Sequence, residues 1–120
     1  AGAEAEYRRV VQLAPDNPMV KATLALFLAT CPVDNLRDGQ RARRLAEEAC
    51  RITTDADPIC LRSLAVACAE LGDFPAALFA VDKAISLAEK ISPSLRTELQ
   101  EYRKHFSEQR PIRRMDKASQ

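Results

Sequence analysis

Four cysteines and one histidine are the side chains in this 120-residue sequence best suited to nucleophilic, redox or metal chemistry. Cys31, Cys50, Cys60 and Cys68 form no C-x-x-C pair and have no accompanying histidines, so a zinc site is not expected. The plain reading is packing: Cys50, Cys60 and Cys68 fall where small core residues are wanted, and cysteine behaves as a small apolar side chain. His105 stands on a terminal helix amid Arg103, Lys104 and Glu108, with no nucleophile or acid beside it in sequence. Asp34, Asp38, Asp55 and Asp57 all lie beside helix ends, where carboxylates accept from backbone N–H groups rather than pair for acid–base work. There is no glycine-rich phosphate loop and no H-E-x-x-H. An enzyme is therefore not expected, and no cofactor, metal or small-molecule substrate is implied.

One basic cluster remains, "RKHFSEQRPIRRMDK" at 103–117. Without interleaved aromatic residues, its end is read as a solvated basic tail over 108–120, with weak nucleic-acid contact through phosphates as the alternative. Net charge is +1, which provides no global field to steer the protein toward nucleic acid or an anionic membrane. No apolar run approaches the roughly 20 residues that span a bilayer. The opening "AGAEAEYRRV" has no basic stretch followed by an apolar core, so it does not read as a signal peptide. The expected location is cytoplasmic, unless a longer parent chain is exported.

The elements that position these residues are helices. Glycine is scarce, β-branched runs are absent, and alanine and leucine dominate, which favours helix throughout. Ala3, Tyr7, Val10, Leu13 and Ala14 share one face of a helix over 3–14, stopped by Pro15-Asp16-Asn17-Pro18. The second helix spans 19–30, with Val20, Leu24, Phe27 and Leu28 on its buried stripe. After Cys31-Pro32 a third runs from about 40 to 53 and turns Ala42, Leu45, Ala46, Ala49 and Ile52 inward. Asp57 caps a helix that starts at Pro58, runs to Leu71 and turns Leu61, Leu64, Ala65 and Cys68 inward. Gly72-Asp73 leads into a helix from Phe74 to about Lys90, and Ser92-Pro93 into a last helix over 94–107 that buries Leu95, Leu99, Tyr102 and Phe106.

Two stretches repeat. "DNPMVKATLALFLA" (16–29) overlays "ADPICLRSLAVACA" (56–69) at an offset of 40 residues, with Pro18 on Pro58 and Leu24-Ala25 on Leu64-Ala65. Ala42, Ala46, Ala49 and Ile52 overlay Ala77, Val81, Ala84 and Leu87 at an offset of 35. The extra residues therefore fall between the two helices of the first unit, in "LATCPVDNLRDGQRA" (28–42). That turn is expected to be ordered, with Leu36 folding back as an apolar anchor.

On these residues the sequence resembles the tetratricopeptide (TPR) family, whose repeat is about 34 residues of helix–turn–helix. The resemblance covers roughly residues 3–90, with Lys21 and Leu61 standing where the family often has tryptophan. It implies an all-α right-handed superhelix of antiparallel helix hairpins. On this division 1–15 is the second helix of a partial repeat, 18–54 a repeat with an enlarged turn at 30–39, 57–90 a second repeat and 93–107 a capping helix. The insertion is similar to one in C-terminal TPR segments of large multidomain bacterial proteins.

The hairpin geometry implied by the resemblance brings Cys50 near Cys60 and Cys31 near Cys68, the two pairs that a disulfide would join. It also implies a concave face for a peptide or partner protein, lined by Met19, Ala22, Thr23, Leu26 and Thr30 from one unit. Ile59, Arg62, Ser63, Val66 and Glu70 come from the next. A carboxylate clamp of the kind found in chaperone-binding members is not expected, because only Arg62 matches it. The functional expectation is a protein-interaction or scaffold module, with a structural end cap of a longer array as the alternative.

Overall fold

In the computed structural model each of the five helices from Pro18 onward is opened by a side-chain oxygen. The structure describes residues 16–114, together with residues 5, 9 and 12. The helix expected over 3–14 lies almost wholly outside the described residues. Five helices follow: α1 (Pro18–Thr30), α2 (Gly39–Ile52), α3 (Pro58–Glu70), α4 (Phe74–Ala88) and α5 (Pro93–Ser107). No strand occurs among the described residues, so the fold is all-α. Asn17 Oδ1 accepts from the N–H groups of Met19 and Val20, and Asp38, Asp57, Asp73 and Ser92 cap the other four starts. Each satisfies donors that the first helical turn leaves without partners.

The helix ends are equally specified. After α3, Asp73 N–H donates to Cys68 O at 2.9 Å and Gly72 N–H to Ala69 O at 3.0 Å, with Gly72 at φ +81°. The same pair of bonds ends α2, where Asp55 N–H reaches Cys50 O and Thr54 N–H reaches Arg51 O. Here the left-handed position is held by a β-branched residue, Thr54, at φ 54°. A side chain at that φ crowds the following carbonyl. Thr54→Gly is therefore expected to stabilise the protein by about 1 kcal/mol, read as a higher denaturant midpoint.

Successive helices pack against one another, and α1 lies beside α3. Alanine makes this close approach possible: Ala22, Ala25, Ala46, Ala49, Ala65, Ala77 and Ala84 are all fully buried. Ser63 Oγ donates to Ala22 O at 2.7 Å, tying α3 to α1 within the core. Lys21 is also buried, with Nζ on Glu48 Oε1 at 2.9 Å. Ile52 departs from its expected inward position and is 46% exposed, because α2 ends there and its side chain runs out of neighbours.

The long turn between α1 and α2 is stapled by Arg37. Its guanidinium donates to Cys31 O at 2.8 Å, to Asp34 Oδ1 at 2.7 Å and to Glu70 Oε2 at 3.0 Å. Asp38 N–H closes the loop on Leu28 O at 2.9 Å. Leu36 is half-buried against the core.

Candidate functional site

All four cysteines are buried free thiols; neither Cys50–Cys60 nor Cys31–Cys68 is bridged. They fill small spaces in the alanine-rich core. Burial pushes the Cys50 thiol from 9.0 up to about 12, with Cys60 adding to the shift. Tyr102 also rises to about 12, first through burial and then through Glu98, whose Oε2 accepts its hydroxyl at 3.1 Å. A group whose pKa rises on folding stabilises the protein below its unfolded pKa and loses that contribution as pH climbs through the folded value. The melting temperature is expected to fall progressively from pH 9 toward 12, less steeply in Cys50→Ala. Thermal melts across that range check this. His105 is half-buried in the last turn of α5. Among the described residues no group of three or more His, Cys, Asp or Glu is placed to hold a metal ion.

The expected groove residues divide into three sets. Ala22, Ser63 and Val66 are sealed in the core and present no binding surface, because α1 and α3 pack directly together. Arg62 on α3 is engaged by α5, donating to Glu98 Oε1 at 2.9 Å, while Ile59 is half-buried and Met19 exposed. Thr23, Leu26 and Thr30 do line an open cavity of about 360 Å³, together with Phe27 and Tyr102. Glu70 stands apart from that wall, accepting from Arg37 and forming an ion pair with Arg113.

The cavity's other wall is the chain's own C-terminal segment. α5 ends with Gln109 at φ 58°, while Arg110 N–H donates to His105 O at 2.8 Å and Gln109 N–H to Phe106 O at 3.0 Å. This cap turns residues 110–114 back across α1. Ile112 is 7% exposed. Arg113 Nη1 lies 2.6 Å from Glu70 Oε1, and the Arg114 guanidinium sits 4.7 Å from the centre of the Phe27 ring. Arg114 N–H donates to Thr30 O at 2.8 Å. In the described part of the expected solvated tail only Ile112 is buried; Arg110, Arg113 and Arg114 stay exposed, although Arg113 pairs with Glu70 and Arg114 lies over Phe27.

The end of α1 is satisfied by groups from elsewhere in the chain. That helix has no basic residue in its last turn, so its terminal carbonyls and the negative end of its dipole lack local compensation. The Arg37 guanidinium donates to Cys31 O, and the backbone N–H of Arg114 donates to Thr30 O. Burying Ile112 contributes about 1.5–3 kcal/mol, and the arginine over Phe27 about 0.5–2 kcal/mol. The half-exposed Arg113 pair adds up to about 1 kcal/mol. The entropy lost in ordering the segment opposes these terms.

Phe27, Tyr102, Ile112, Arg113 and Arg114 were not in the expected groove set. A lone isoleucine between a proline and two arginines was the available signal for the last three. No family model, curated protein or solved structure matches the chain. Among the described residues, no helix is long and apolar enough to cross a membrane.

Proposed function

We propose that this chain is a TPR-like interaction module, a right-handed superhelix of helix hairpins closed by α5, that holds an extended peptide or partner segment on the face formed by α1 and α3. The pairing order supports the hairpin reading: α1 with α2, α3 with α4, and α1 beside α3. The observation that carries the functional reading is residues 110–114 lying on that face, anchored by one buried apolar side chain, two arginine contacts and a backbone hydrogen bond. A surface that takes an extended segment in cis has the chemistry to take one in trans. The reading assigns no reaction to the chain. It does assign a scaffold role within a longer protein.

Random-peptide display on the wild-type chain tests this, with Thr23→Arg/Leu26→Glu as the counter-selection. Peptides retained by the wild type and lost on the variant support the reading; peptides kept by both bind elsewhere and reject it. The alternative, an end cap with no ligand of its own, is favoured by the same docked segment and requires that nothing be enriched. Nucleic-acid contact through the tail is the weaker alternative: Arg113 and Arg114 are exposed but already set against Glu70 and Phe27.

A further inference from the structure

Resting on that reading, we propose that the partner is an extended peptide carrying an apolar residue followed by two arginines, and that residues 110–114 occupy its site as an autoinhibitory strap. Three neighbouring features read three successive residues. An apolar seat takes the position of Ile112, leaving it 7% exposed. The Glu70 carboxylate, 17% exposed and shared with Arg37, takes the first guanidinium. The Phe27 face takes the second, while Thr30 O fixes the register by accepting that residue's backbone N–H. Arginine suits both positions better than lysine: its delocalised, weakly hydrated guanidinium is less costly to bring against the half-buried carboxylate and the Phe27 face than a strongly hydrated ammonium.

The strap is tethered, so it competes at an effective concentration in the millimolar range. A partner in trans must gain something the strap leaves unused. The open volume of about 360 Å³ beside the strap, between Thr23, Leu26 and Tyr102, is that reserve. A larger apolar side chain than isoleucine would extend into it. Displacement then exposes Ile112 and frees both arginines, which makes occupancy of the face and release of the tail a single event.

A fluorescein-labelled peptide of the sequence 109–114 reads this by polarisation on two full-length chains. The wild type retains its strap; Ile112→Asp/Arg113→Glu releases it. A strap docked for roughly nine-tenths of the time lowers apparent affinity about tenfold, so the released chain is expected to bind about tenfold tighter. Arg114→Ala, which removes only the guanidinium over Phe27, keeps the test valid should the double variant unfold, and is expected to give a smaller gain in the same direction. Replacing both peptide arginines by lysine is expected to abolish most binding. Equal affinity on strapped and released chains, or equal binding of the lysine peptide, overturns the proposal. If the released chain instead takes peptides of another chemistry, and Leu26→Glu blocks them, this inference fails while the interaction reading stands; if it takes none, both fail. Concentration-dependent dimers in sedimentation would make a second copy the occupant and also overturn it.

Discussion

Phe106→Ala is expected to destabilise the protein by about 3–5 kcal/mol, the range for deleting a buried aromatic ring. Phe106 is the largest of the fully buried side chains, with its ring centre 6.5 Å from that of Tyr102. It is also the residue whose carbonyl receives Gln109 N–H in the turn that redirects the chain. The loss would therefore reach past stability: a cavity under the last turn of α5 removes the footing of the strap. Typical domains hold only about 5–15 kcal/mol in total, and in a chain of this size each kcal/mol moves the melting temperature by roughly 4–8 °C. A fall of about 15 °C or more in a circular-dichroism melt is the expected reading. Phe79→Ala provides the contrast. That ring is 78% exposed on α4, and its removal should stay within about 0.5 kcal/mol. Equal losses at 79 and 106 would contradict the packing described for α5.

The difference between these phenylalanines shows what sequence pattern can carry. Helix boundaries were readable because each rests on local chemistry: Asp57 before Pro58, Ser92 before Pro93, Gly72 supplying a positive φ. The inward face of α2 was readable through Ala42, Leu45, Ala46 and Ala49, since its opposite face is charged. In α1 and α3 apolar residues follow one another, as in Leu24-Ala25-Leu26-Phe27-Leu28-Ala29, so periodicity points in no single direction. Groove positions placed there depended on an assumed geometry, and Ala22, Ser63 and Val66 proved to be the seam between the two helices. The strap left almost no trace. Arg113 meets Glu70 from 43 residues away and Arg114 meets Phe27 from 87, and pairings that distant carry no local spacing.

Glu70→Lys is expected to act on stability and on the strap together. The carboxylate joins two parts of the chain that do not otherwise share a partner. Oε2 receives Arg37 from the long turn at 3.0 Å, and Oε1 faces Arg113 from the strap at 2.6 Å. Both Arg37 and Glu70 are largely out of solvent, at 15% and 17% side-chain exposure. The start of α2 also presses on this residue: a Cβ added at Gly39 would come within 2.9 Å of Glu70 Cγ. Reversing the charge gathers three cations where solvent screens poorly. Breaking a fully buried pair costs about 3–5 kcal/mol, and partial exposure lowers the expectation to about 2–4 kcal/mol. Glu70→Gln keeps the shape and an acceptor, and should cost about 1 kcal/mol. The two variants therefore separate charge from packing: similar losses would mean that shape alone matters. Limited trypsin digestion gives the second reading, since a released strap offers Arg113 for early cleavage while a docked one protects it. Faster cleavage in Glu70→Lys, at temperatures where the helices remain folded, would show that this carboxylate holds the strap down. Unchanged cleavage with lowered stability would confine its role to the turn stapled by Arg37, and leave the strap to Ile112, Phe27 and the hydrogen bond at Thr30 O.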